Sequence, residues 1–139
     1  MKVRGFVQTI RDQGSIKFIM LRDGSGTIQL VVMKSTTEAM AAAEQLSLES
    51  VIEVTGQAKE EKQAPGGFEI GVETLSVLSS AAPELPIPII EKGSQEEAEI
   101  QKRMDWRFLD LRKPEKLLTF KVWTALEQGF REYWTSQEY

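Results

Sequence analysis

The chain has 139 residues, 41% hydrophobic and 27% charged, with a formal net charge of −4 and neither Cys nor His. That length can bury one ordinary core plus an appendage; disulfides and thiolate metal sites are excluded, and the usual metal ligand and general base are both missing. The negative balance argues against a nucleic-acid binder held by a broad basic face, although a domain that reads a few unpaired bases can be acidic, and no apolar run approaches the ~20 residues of a bilayer span.

Residues 2–10 carry Val3, Phe6, Val7, Thr9 and Ile10, a β-rich run that ends at the turn signal Arg11-Asp12-Gln13-Gly14. Two apolar runs, 15–22 and 26–33, flank Asp23-Gly24, the strongest short hairpin signal in the chain. Ser35 to Leu48, rich in Ala and Glu, predicts a helix capped by Ser35 or Thr36. Strands resume at 50–59 and 67–78, on either side of the loop Lys62-Gln63-Ala64-Pro65-Gly66-Gly67. Three strands, a helix and two strands is the order of an OB-fold: mainly β, a five-stranded Greek-key barrel with a helix between strands three and four. An SH3-like barrel is the main rival, but it seldom carries a helix of this length at that point.

Residues 79–100 change character. Pro83, Pro86 and Pro88 stiffen Ala81 to Ile90, and an acidic tract of Glu91, Glu96, Glu97 and Glu99 follows. Proline removes backbone donors and fixes φ, so this stretch reads as a spacer. Pro114 then opens a helix at the position where its missing N–H costs nothing. Leu118, Val122, Ala125, Leu126, Phe130 and Tyr133 recur close to helical period up to about Glu138. An amphipathic helix with nothing after it to bury its apolar face reads as part of a fragment. The expected organisation is a barrel domain over 1–79, a Pro/acidic linker and hinge over 80–113, and a C-terminal helix over 114–139.

A two-residue turn at Asp23-Gly24 pairs Arg22 with Ser25 and, counting back, Phe18 with Gln29. Alternation then points Ile19, Leu21, Ile28, Leu30 and Val32 inward. Phe18 and Gln29 share the other face, an aromatic beside an amide. Stacking an unpaired base is worth ~1–3 kcal/mol and an amide can read its edge. The pattern leaves a plain core role for Phe18 equally open.

Residues 103–113 read Arg-Met-Asp-Trp-Arg-Phe-Leu-Asp-Leu-Arg-Lys, followed by Pro114. Alone, this fits a charged, amphipathic linker helix just as well. Upstream stand Gly5-Phe6-Val7, the Arg11 to Phe18 block and the Leu21 to Gln29 block. Together, in this order and spacing, they resemble the anticodon-binding domain and hinge of aspartyl-tRNA synthetases over nearly the whole chain. In that family an aromatic at the position of Phe18 stacks on the central anticodon base, and a Gln at the position of Gln29 hydrogen-bonds it. An Arg matching Arg11 contacts the anticodon loop, and a Glu matching Glu69 reads the anticodon. The Arg107 to Arg112 run is closest to the aspartyl form among its asparaginyl and lysyl relatives, and the short 61–66 loop resembles the archaeal type. Gln8 and Pro65 stand where discriminating members carry an aromatic and a basic residue near the third anticodon base. The resemblance is therefore to the relaxed type, which accepts tRNA-Asn as well as tRNA-Asp.

Departures from the family pattern are Phe6 in place of a usual Trp, a start slightly further along, and the absence of every class II catalytic motif. The resemblance thus implies a tRNA-binding part of an aspartate–tRNA ligase, inactive alone, with no catalytic residue, cofactor or metal in this segment. For a full-length parent it implies ATP and Mg²⁺, a homodimer, the cytoplasm and no membrane. Two rivals from other classes are a free-standing OB module for single-stranded nucleic acid and an interaction domain whose long C-terminal helix pairs with a partner.

Overall fold

Five strands, Lys2–Asp12 (β1), Ile16–Arg22 (β2), Thr27–Met33 (β3), Val51–Glu60 (β4) and Phe68–Ser79 (β5), close into a barrel in the order β1-β2-β3-β5-β4. The computed structural model describes residues 1–90 and 98–138. Glu91, Glu96 and Glu97 of the acidic tract lie outside the described residues, as does Tyr139. The chain divides into two compact units, Met1–Leu85 and Pro86–Tyr139.

In the first unit, all strand neighbours are antiparallel except β3 and β5, which run parallel, and β1 closes the barrel on β4. The inward rows are mostly apolar: Val7, Ile19, Leu21, Leu30, Val32, Ile52, Val54, Ile70 and Val72 are buried together, and Lys17, in phase with Ile19 and Leu21, is buried with its ammonium on Asp12. Each such apolar side chain contributes roughly 1.5–3 kcal/mol by leaving water. Between β3 and β4 the helix Thr37–Glu44 (α1) lays Ala39, Met40 and Ala43 on the same core. It is shorter than Ser35 to Leu48, because Leu46 leaves the helix to pack on the core and Glu49 takes a positive φ of 66°. Thr36 occupies the cap position, without a capping bond from its side chain. The topology is that of an OB-fold.

The pairing of Phe18 with Gln29 is corrected. Arg22 pairs with Thr27, so Phe18 faces Val31 and Gln29 faces Met20. The turn holds four residues, because one Asp23 carboxylate oxygen accepts hydrogen bonds from Ser25 N (2.8 Å), Ser25 Oγ (2.6 Å) and Gly26 N (3.1 Å). That side-chain turn outcompetes a two-residue Asp-Gly turn. The shift is of two residues, so the parity of both strands survives and the inward set is the expected one. A bulge between Val7 and Thr9 re-phases β1: Val7 and Ile10 both reach the core, which turns Arg11 to the outside with Phe18.

In the second unit, Ile100–Asp105 (α2) and Arg107–Asp110 (α3) are short helices, and Pro114 opens a long one, Pro114–Ser136 (α4). The alternating charges of 103–113 form an internal network. Asp110, nearly fully buried, accepts hydrogen bonds from Arg103 at 3.3 Å and has the Lys113 ammonium 3.7 Å away. No residue of α4 is buried among those described, and Leu118, Val122, Trp123, Leu126, Phe130 and Tyr133 are exposed.

Candidate nucleic-acid interface

Register across the barrel lays two parallel rows on its outer surface. One runs Arg11, Phe18, Val31, Gly71, Gln57; the other runs Thr9, Met20, Gln29, Glu69, Lys59. On each strand the two rows lie two residues apart, so their side chains share a face at a spacing of ~7 Å. The four residues singled out in the sequence, Arg11, Phe18, Gln29 and Glu69, all fall in these rows. They meet as two direct cross-strand pairs. The Arg11 guanidinium lies 4.7 Å from the centroid of the half-buried Phe18 ring, and Gln29 Nε2 donates to Glu69 Oε2 at 2.9 Å.

The Arg11 guanidinium covers one face of the Phe18 ring. Val31 and Gly71 continue the surface beside it as the floor of a groove of about 320 Å³, also lined by Met33, Thr36, Gln57 and Lys59. A Cβ on Gly71 would meet only Gln57 O, at 3.8 Å, so the groove floor is open there for lack of a side chain and not for steric need. The second row is polar and nearly closed to solvent: Gln29 is 7% and Glu69 4% exposed. Lys59 Nζ lies 2.7 Å from Glu69 Oε1, so both carboxylate oxygens have partners. Burial disfavours the charged Glu69, but hydrogen bonds from Lys59 and Gln29 and the Lys59 charge outweigh it and hold the carboxyl below its usual range. The same hydrogen bond and charge push Lys59 up.

Lys59 was not legible as a site residue. It pairs with Glu69 because β4 and β5 meet as Glu60 with Phe68 across the connection 61–67, a register that composition alone does not set. Gln8 and Pro65 are not brought into contact by any bond. Gln8 sits at the β1 bulge, one step beyond the polar row. Pro65 begins the 3-10 turn Pro65–Gly67 in the connection between β4 and β5. Gly66 and Gly67 give that turn its shape, with φ of 83° and 79°.

A stacking ring, an edge-reading amide, a carboxylate and a cation on one barrel face are the equipment for unpaired bases. Residues 1–78 match the family described as OB-fold nucleic acid binding domain. The chain belongs to that family. Beyond this OB-fold domain, the likeness continues through the second unit. Aspartate–tRNA(Asp/Asn) ligase of Aeropyrum pernix is 41% identical over 99% of the chain, and that of Archaeoglobus fulgidus 37% over 93%. The chain spans about 30% of the length of each. Among solved structures, the aspartyl-tRNA synthetase of Entamoeba histolytica superposes with a TM-score of 0.88 at 27% identity, covering 100% of this chain and 35% of that one. The asparaginyl-tRNA synthetase of Pyrococcus horikoshii gives 0.82 at 35% identity, covering 96% and 31%. The resemblance seen in the 103–113 segment and the barrel blocks thus extends over nearly the whole of this chain, to relatives of the aspartyl and asparaginyl type.

Proposed function

We propose that the barrel binds the anticodon loop of a tRNA, as the recognition part of an aspartate–tRNA ligase that serves both tRNA-Asp and tRNA-Asn. The observation that carries this reading is the paired arrangement of Arg11 on Phe18 beside Gln29 on Glu69. Phe18 stacks the central anticodon base, Gln29 reads its edge, Arg11 supplies positive charge to the loop and Glu69 completes the polar row. Gln8 and Pro65 border the third base. The names of the curated relatives, aspartate–tRNA(Asp/Asn) ligases, support the pairing of substrates.

Residues 1–79 are then the anticodon-binding domain, 80–113 the linker and hinge, and 114–139 the first helix of a catalytic domain whose remainder buries the apolar side chains of α4. The parent activates aspartate with ATP and Mg²⁺ in the cytoplasm, as a homodimer. The described residues contain no cluster of three or more His, Cys, Asp or Glu able to hold a metal ion. The part this reading assigns to the segment is recognition. No described helix is long and apolar enough to cross a membrane.

The test is binding of the full chain to an aspartate anticodon stem-loop and to the same loop with cytidine for the central uridine. Loss of the edge contact to Gln29 costs ~1–3 kcal/mol, a weakening of roughly five- to 150-fold. Equal affinity for the two loops identifies instead a sequence-tolerant single-strand binder that relies on stacking.

A further inference from the structure

An amide is an ambivalent reader of pyrimidines. Its oxygen and one N–H can face the N3–H and O4 of uridine, and after a flip the same two atoms face the N3 and N4–H of cytidine equally well. Discrimination therefore needs something that forbids the flip. On this barrel the Gln29 nitrogen donates to Glu69 Oε2 at 2.9 Å, and Glu69 Oε1 is held by Lys59 Nζ at 2.7 Å. An ionised carboxylate only accepts, so the nitrogen end of the amide must face it; the reverse orientation would set two acceptors against each other at a nearly dry position. One N–H is consumed by Glu69, which leaves Gln29 Oε1 and the second N–H in a fixed order toward a ligand.

We infer that Glu69 and Lys59 are positioning residues that lock the Gln29 amide in one orientation, and that this lock makes Gln29 a discriminator between uridine and cytidine. The inference rests on the anticodon reading above. It gives Glu69 a part played through Gln29 rather than on a base, and it gives Lys59 a part the sequence did not announce.

The measurement is the ratio of affinities for stem-loops carrying uridine or cytidine at the central position, with the 139-residue chain throughout. Wild type prefers uridine by tenfold or more. Glu69→Gln keeps the shape but puts an amide that both donates and accepts beside Gln29, so the flip is permitted and the ratio falls to within about threefold. A merely structural role, or a direct contact from Glu69 to a neighbouring base, weakens both loops together and leaves the ratio unchanged; that result overturns the lock. The exchanged pair, Lys59→Glu with Glu69→Lys, presents a donor to Gln29, reverses the amide and shifts the preference toward cytidine. A retained uridine preference in the exchanged pair also overturns it. If either variant fails to fold, the wild-type chain still decides: its Gln29 side-chain N–H facing Glu69 is slow to exchange in the free protein, and two equally fast N–H signals refute the lock. A wild type that does not prefer uridine sinks the anticodon reading itself, whereas a wild type that does, with Glu69→Gln at the same ratio, sinks only the lock.

Discussion

At the scale of single residues, the outer rows separate what a side chain does for the fold from what it does for a ligand. Phe18 is half-buried and lies on the side opposite the core row of Ile19 and Leu21, so removing its ring should leave the barrel standing. Phe18→Ala is expected to weaken binding of an aspartate anticodon stem-loop by ~1–3 kcal/mol, read by titration, with an unchanged circular dichroism spectrum. Unfolding, or unchanged affinity, would return Phe18 to the core role that the sequence pattern left open. Gln8 and Pro65 lead to the opposite kind of expectation. Neither supplies an aromatic wall or a fixed charge, and a near-isosteric pair of pyrimidines is separated only by a dedicated polar contact. Aspartate and asparagine anticodon loops, which differ at the third base, should bind within about tenfold, a gap under ~1.4 kcal/mol. A hundredfold preference for the aspartate loop would show that another residue reads that base.

At the scale of elements, binary patterning was legible and register was not. Alternation placed Ile19, Leu21, Leu30 and Val32 inside because a period of two survives any even shift of the hairpin. The direct pairing of Phe18 with Gln29 failed because Asp23 builds its own turn from side-chain hydrogen bonds, a preference that Asp-Gly alone conceals. Lys59 went unseen for the same reason: the register across the 61–67 connection has no local signal. Glycines mark a second limit. Gly56 lies at a register shift in β4, where an added Cβ would meet Gly71 O at 2.1 Å, while a Cβ on Gly71 would make only an ordinary contact with Gln57 O at 3.8 Å. Gly56→Ala must push β4 and β5 apart and is expected to cost ~1–3 kcal/mol or more. Gly71→Ala should change stability by less than ~1 kcal/mol, since the residue it gains packs against nothing closer than ordinary contact. Urea denaturation of the two variants checks the contrast, and equal destabilisation would mean the strands approach differently from the geometry described.

At the scale of the whole molecule, charge sets the dependence of stability on pH, and two accounts of it disagree. With a net charge of −4 and an isoelectric point near 5.0, self-repulsion alone would make the protein most stable close to pH 5. The specific pairs argue otherwise. Asp12 is held below the usual carboxylate range by Lys17 and Gly14 N, Asp23 by Ser25 and Gly26, Glu53 by Lys2 and Arg4, and Glu69, against its burial, by Lys59 and Gln29. In each case the folded value lies below that of the unfolded chain, which is ~3.9 for Asp and ~4.3 for Glu. Between the two values the unfolded state binds protons that the folded state does not, so stability is present above the unfolded values and is lost as pH falls through the folded ones. Lys59 acts in the other sense: its raised value gives stability below the ordinary lysine range that is lost only as pH climbs beyond it. The chain has no histidine, the side chain whose ordinary value lies closest to neutrality. Several local pairs, each at hydrogen-bond distance, should outweigh a diffuse repulsion that salt screens over ~10 Å. The expected profile is a urea midpoint that is flat from about pH 6 to 9 and already falling below about pH 5. A midpoint that instead rises to a maximum at the isoelectric point would show that net charge, and not the pairing of individual carboxylates, governs the acid limb.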